Sequence, residues 1–182
     1  SLSCPAGYIP VIGSGTYSTS DFCVMKYEAK NVGGTANSTA SGVIWVSQTW
    51  QQAQTNCENL GAGYHLITDN EWLTIAKDAE QRWQNWNSSV VGTGFMFSGH
   101  NDNGPGSALL ADTDDNNGYF GTNDTLTNCD GVFNNFPNDD IGSPACAGQR
   151  RTLTLSNGEV IWDLAGNVWE WVEDTSHFNY QN

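Results

Sequence analysis

The chain has 182 residues, 38% of them hydrophobic and 12% aromatic, with 20 Asp and Glu against six Lys and Arg for a net charge of −14. That length suits one domain burying roughly two-thirds of its unfolded surface, so residues 1–182 read as a single domain. The charge excludes nucleic-acid backbones and anionic membranes as partners, the aromatics exclude a disordered acidic chain, and no apolar run approaches the ~20 residues of a membrane span.

At the N-terminus, "CPAGYIPVIGSGTYSTSDFCVMKYEAKN" reads as two short strands joined by a Gly/Ser/Thr loop, with Cys4 and Cys23 placed to staple them. Cys129 and Cys146 close a second short loop, and each bridge constrains the unfolded chain by about 3 kcal/mol in the entropic model. Five cysteines beside abundant Asn, Gly, Ser and Thr fit an oxidising exterior, and no CxxC or His-x-His pattern points to zinc. Gly13 and Gly15 form no phosphate loop, because no helix with Lys-Ser/Thr follows.

"VGGTANSTASG" reads as a loop, after which the pattern turns helical. Ser47 is a candidate N-cap, Trp50, Ala53, Cys57 and Leu60 recur at helical spacing, and Gly61 marks a stop. Cys57 on that apolar face is the unpaired fifth cysteine, either bridged elsewhere or a buried thiol. The next helix opens on a capping box, Thr68 with Glu71, and carries Trp72, Ile75, Ala76, Ala79 and Trp83 as one apolar stripe. That places Trp83 in the core and leaves Trp86 as a surface lid; His65 reads as structural.

From Trp83 through Gln149 there is no Lys or Arg, and Gly, Asn and Asp dominate a long loop of the kind usually tied to function or ligand. Within it, Asp112, Asp114 and Asn116 alternate as calcium ligands often do, but Asn117 and Asn123 stand where an EF-hand needs Gly and Glu. A solvated turn capped by Asx side chains is the other reading. Sequons occur at Asn37, Asn87 and Asn123. "RRTLTLSNGEVIWDL" then alternates apolar residues around Asn157-Gly158, a strong hairpin signal.

The hairpin runs into "WDLAGNVWEW", Trp162 to Trp171, where three indoles surround two carboxylates and a Gly-Asn pair. Taken alone, the stretch supports two readings. One is a structural turn with Glu170 in solvent. The other is a calcium loop in which Asp163 and Glu170 bind with the carbonyls of Gly166 and Val168, the ion neutralising carboxylates that are costly to bury beside tryptophan.

Three stretches, "FCVMKYEAKN", "YHLITDNEWLTIA" and "DLAGNVWEW", resemble in order and spacing the formylglycine-generating-enzyme-like (sulfatase-modifying-factor) domains, a branch of the C-type lectin fold. The resemblance covers most of Cys4 to Glu173. It implies an α+β fold, a twisted antiparallel sheet carrying two helices and long loops. It also favours calcium at Asp163, Gly166, Val168 and Glu170, with Asp163 where the family has Asn.

Relatives continue into a Gly-Gly-Ser-Trp segment and a final Gly-Phe-Arg strand that holds the reactive cysteines of the oxidising members. The chain is therefore expected to be C-terminally incomplete, with the last strands missing and a partner for Cys57 beyond Asn182. The function so implied is an extracellular, non-catalytic ligand-binding or display domain with structural calcium, similar to the variable proteins of diversity-generating retroelements. Its partner would be a protein or carbohydrate ligand on a surface. The alternatives are an oxidase whose catalytic segment lies beyond residue 182, and a surface subunit that self-associates.

Overall fold

A computed structural model describes residues 2–99, 118 and 150–173. The expected α+β composition is present, with two helices and short antiparallel strand pairs. Strands β1 (Tyr8–Val11) and β2 (Phe22–Met25) pair in the register Tyr8↔Met25 to Val11↔Phe22, and the Cys4–Cys23 disulfide clamps them. Alternation along β1 buries Ile9 and Val11.

The stretch read as a loop after residue 31 is instead a second hairpin, β3 (Lys30–Val32) with β4 (Thr35–Asn37). Its two-residue turn is Gly33-Gly34, both at positive φ (61° and 83°), a conformation that costs glycine nothing and suits the right-handed twist of the strands. The hairpin β5 (Thr152–Thr154) with β6 (Val160–Trp162) turns at Asn157-Gly158 as the sequence indicates. The single expected sheet is thus three separate strand pairs among the described residues, each too small to be stable without packing on the rest.

Helix α1 (Trp50–Glu58) begins two residues later than Ser47 suggests. Ser47 sits at φ 58°, and Thr49 is the N-cap, its side chain accepting from Gln52 N while Gln52 reciprocates in a capping box. Helix α2 (Asp69–Glu80) starts at the expected Thr68/Glu71 box and lays Ile75 and Ala79 into the core with Val11, Phe97, Leu153 and Ile161. Trp83 does not extend that stripe: the helix ends at Glu80, and Trp83 opens a 3-10 turn (Trp83–Asn85) with its side chain 56% exposed. Trp86 caps the helix end instead, its indole donating to Glu80 O at 2.9 Å.

What ties the helical half to the last hairpin is Asn85, which is fully buried. Its Nδ2 donates to Ala79 O and Thr154 O, both at 2.8 Å, while its Oδ1 accepts from Thr154 N at 2.8 Å and Arg150 Nη2 at 3.1 Å. Every hydrogen-bonding position of the amide is used, so its removal orphans several buried groups at once. Asn85→Ala is expected to lower stability by about 3 kcal/mol in urea unfolding, and a loss below about 1 kcal/mol would refute this role.

Candidate functional site

Beyond β5 and β6, the next cross-strand pair is Arg151 with Asp163, whose N–H donates to Arg151 O at 2.8 Å. Their side chains join in a fork: Arg151 Nε donates to Asp163 Oδ1 at 2.8 Å and Nη2 to Oδ2, with both side chains fully buried. The Trp162 ring lies 5.5 Å from the guanidinium carbon and shields it. Burial of the pair is tolerable because each charge meets its opposite in bidentate geometry.

Asp163 and Asn167 take left-handed φ values of 52° and 62°, and Gly166 lies between them at 88°, so the chain curls tightly from 163 to 168. Val168 N–H donates to Gly166 O across that curl at 2.8 Å. The curl delivers Asn167 to Glu28, whose Oε2 accepts from Asn167 Nδ2 at 2.5 Å. Glu28 is 7% exposed, and its Oε1 has no hydrogen-bond partner among the described residues.

The chain then runs out over both helices, held by indoles. Trp72 hydrogen-bonds the Glu170 carboxyl, Trp171 Nε1 donates to Gln48 O at 2.9 Å, and Trp50 Nε1 donates to Val172 O at 2.8 Å. Glu173 N–H completes the strap by donating to Ile67 O at 2.8 Å. Beneath it lies a cavity of about 570 Å³, its walls including Tyr27, Trp72, Trp162 and Trp171 and its polar residues including Glu28 and Glu170. That volume lies within the range of small-molecule sites. The apolar face of α1, including Ala53 and Cys57, lines this cavity and stays half-buried.

The electrostatics are those of crowded carboxylates. Burial, then the charges of Asp163 and Glu170, push Glu28 up to about 9 against the downward pulls of Asn167 and Lys30. Burial, then Asp163, push Glu170 up to about 8 against the Trp72 hydrogen bond. Glu170 nevertheless keeps open surface, because it lines the cavity, and water there tempers its desolvation. Exposure is therefore the better guide to how Glu170 meets a ligand.

Of the residues singled out by sequence, Asp163, Gly166, Val168 and Glu170 belong to one continuous turn, and Glu170 faces the cavity. Both Asp163 oxygens accept from Arg151, a partner the sequence did not disclose. Among the described residues, no three His, Cys, Asp or Glu side chains converge as a metal site. Asp112, Asp114, Asn116, Cys129 and Cys146 lie outside the described residues.

Cys57 is a free, half-buried thiol that burial, then Glu173 and Glu58, push upward, the reverse of what a nucleophile needs. His65 is pulled down by burial, but the hydrogen bond and charge of Glu71 outweigh this and leave it raised; its Nε2 lies 2.9 Å from that carboxylate. Glu28, Arg151 and Trp72 join the site without a sequence motif that marks them. The only local signal for Glu28 was a carboxylate next to an apolar strand. Compared with known proteins, the chain matches no family model, no curated protein and no solved structure.

Two outcomes follow from this geometry. Arg151→Met removes the bidentate partner of the buried Asp163 and is expected to cost about 3–5 kcal/mol, whereas Arg151→Met/Asp163→Leu recovers most of that loss in the same unfolding measurement. The second concerns pH. Raised carboxyls mean that the folded chain binds more protons than the unfolded one, so their stabilising contribution is complete below the ordinary value of 4.5 and is lost as pH rises through about 9 for Glu28. Thermal midpoints with chelator present should fall across that window, and Glu28→Gln should flatten the fall; an unchanged slope would exclude Glu28 as its source.

Proposed function

We propose that this is a non-catalytic ligand-binding or display domain of an oxidising, extracellular setting, with a C-type-lectin-like arrangement related to the formylglycine-generating-enzyme-like domains. The observation that carries the reading is the indole-strapped cavity, a preformed concave site with aromatic walls and a few polar groups. Its border is apolar too: Trp169 is fully exposed, and Trp171 is 47% exposed. A solvent-facing indole beside a cavity is the kind of side chain that anchors interfaces. The Cys4–Cys23 disulfide supports the oxidising setting, and among the described residues no helix is long and apolar enough to cross a membrane.

The partner is a protein or carbohydrate ligand, and the same exposed edge suits self-association. Structural calcium at the 163–170 turn belongs to the proposal. Glu170 and the backbone carbonyls of Gly166 and Val168 would supply its oxygens, the Gly166 carbonyl also accepting from Val168 N–H. Asp163 would join only by exchanging Arg151 for the ion. Calcium in hundredfold excess over its dissociation constant should add about 2.7 kcal/mol of stability relative to chelator. An unchanged thermal midpoint would remove calcium from the reading.

Binding is tested on glycan and peptide arrays with the whole chain and with Trp169→Ala. The expected result is a defined set of ligands whose signal drops by about tenfold in the variant, about 1.4 kcal/mol. No ligand on either array, or full retention by Trp169→Ala, would overturn the binding face.

A further inference from the structure

The strapped cavity combines two features that apolar packing alone does not call for. Its walls present indole and phenol faces from Tyr27, Trp72 and Trp171, and the carboxylates of Glu28 and Glu170 are among its polar residues. Glu170 lies open to the cavity, while Glu28 lines it with 7% exposure and an Oε1 that lacks any hydrogen-bond partner among the described residues. An acceptor left without a donor in such a place is costly, and an occupant that supplies the donor removes the cost.

Most of the chain's own cations are engaged elsewhere. All six of its Lys and Arg lie within the described residues, as Lys26, Lys30, Lys77, Arg82, Arg150 and Arg151. Lys77 pairs with Glu80, Arg82 with Asp78 and Arg151 with Asp163. Arg150 donates to Thr152 O and Asn85 Oδ1, Lys30 is buried against Glu28 O, and Lys26 stands over the Tyr27 ring. The chain's net charge of −14 draws cations from outside.

Calcium at the 163–170 turn would draw on backbone carbonyls for most of its oxygens, whereas the cavity walls set carbon faces around the two carboxylates. Aromatic faces and carboxylates together match an organic cation. The unpartnered Glu28 oxygen narrows the choice further, because a quaternary ammonium has no N–H to donate and a primary ammonium has three.

We propose that the cavity binds a primary alkylammonium group, its carbon stem against the Trp72 and Trp171 faces and its –NH₃⁺ between Glu28 and Glu170. This deepens the ligand-binding reading and rests on it. The group can arrive as a free alkylamine or as the end of a lysine side chain.

The test is calorimetry, with tryptophan fluorescence in parallel, on the whole chain with chelator present to keep metals off the carboxylates. The probes are hexylamine, hexyltrimethylammonium, hexanol, and a short lysine peptide with its Nε-acetyl counterpart. Hexylamine is expected to bind at least tenfold tighter than hexyltrimethylammonium and hexanol. Lysine peptide bound in preference to hexylamine assigns the group to a protein partner, and the reverse order assigns it to a free amine; in either case acetylation abolishes the peptide's binding.

Glu170→Gln should weaken hexylamine at least tenfold while the thermal midpoint shows the fold intact, and Glu28→Gln provides the same readout from the other carboxylate. Equal binding of all three hexyl compounds, no binding of hexylamine, or undiminished binding in both variants would overturn the proposal. Array ligands that still depend on Trp169 would then leave the binding domain standing without its amine site.

Discussion

The Arg151–Asp163 pair is the constraint on which the rest of the site depends. It is buried on both sides, so neither charge can turn to water, and its forked geometry leaves one arrangement of the two backbones. Because Arg151 and Asp163 continue the ladder of the last hairpin, the fork fixes where β6 ends and forces Asp163 into a left-handed turn. From there the chain has little choice. Gly166 and Asn167 also lie at positive φ, and Asn167 is delivered to a glutamate 139 residues earlier. Trp162 N–H, donating to Lys26 O at 3.0 Å, secures the same junction from the other side.

The tryptophans around that turn do a job that greasy packing would not. Buried indoles need an acceptor, and here the acceptors lie on segments far away in sequence. Trp50 and Trp72, on different helices, hold Val172 and Glu170, and Trp171 reaches back to the loop before α1. The result is a strap tied down by directional bonds at several points. A strap held this way can bridge open space, and the cavity beneath it is the consequence. The half-buried face of α1 is therefore a cavity wall, while α2 alone supplies the main core with Ile75 and Ala79.

Acidity takes on a local meaning at this point. Glu28, Asp163 and Glu170 influence one another, while the Arg151 guanidinium pairs with Asp163 and the Lys30 ammonium pulls on Glu28. Crowded carboxylates settle this by holding protons or by taking a cation, and the two compete. A chain that carries 20 acidic residues and places three of them around one junction holds protons there more tightly than free carboxylates do. Cys57, protonated and half-buried in the same wall, adds no nucleophile to that chemistry.

The sequence alone determined the features whose partners sit a few residues apart. The Thr68/Glu71 capping box, the Asn157-Gly158 turn and the amphipathic face of α2 are set by backbone geometry that any reader of spacing can apply. The Cys4–Cys23 staple belongs with them, because it closes the loop of a single hairpin. Gly33-Gly34 was equally local and still went unread, since the strands it joins are three residues each and too short to show alternation. Only the tertiary structure decided who neutralises Asp163, who satisfies Asn85 and where Trp83 goes. Arg150 and Arg151 are neighbours in sequence, but one faces Asn85 and the Phe97 ring while the other faces Asp163, and period-two alternation cannot say which face is buried. Glu28 meets Asn167 across 139 residues, and no spacing rule spans that distance. The carboxylates of the turn were legible as residues, but their charge balance was not, because it depends on which distant side chains the fold brings to them.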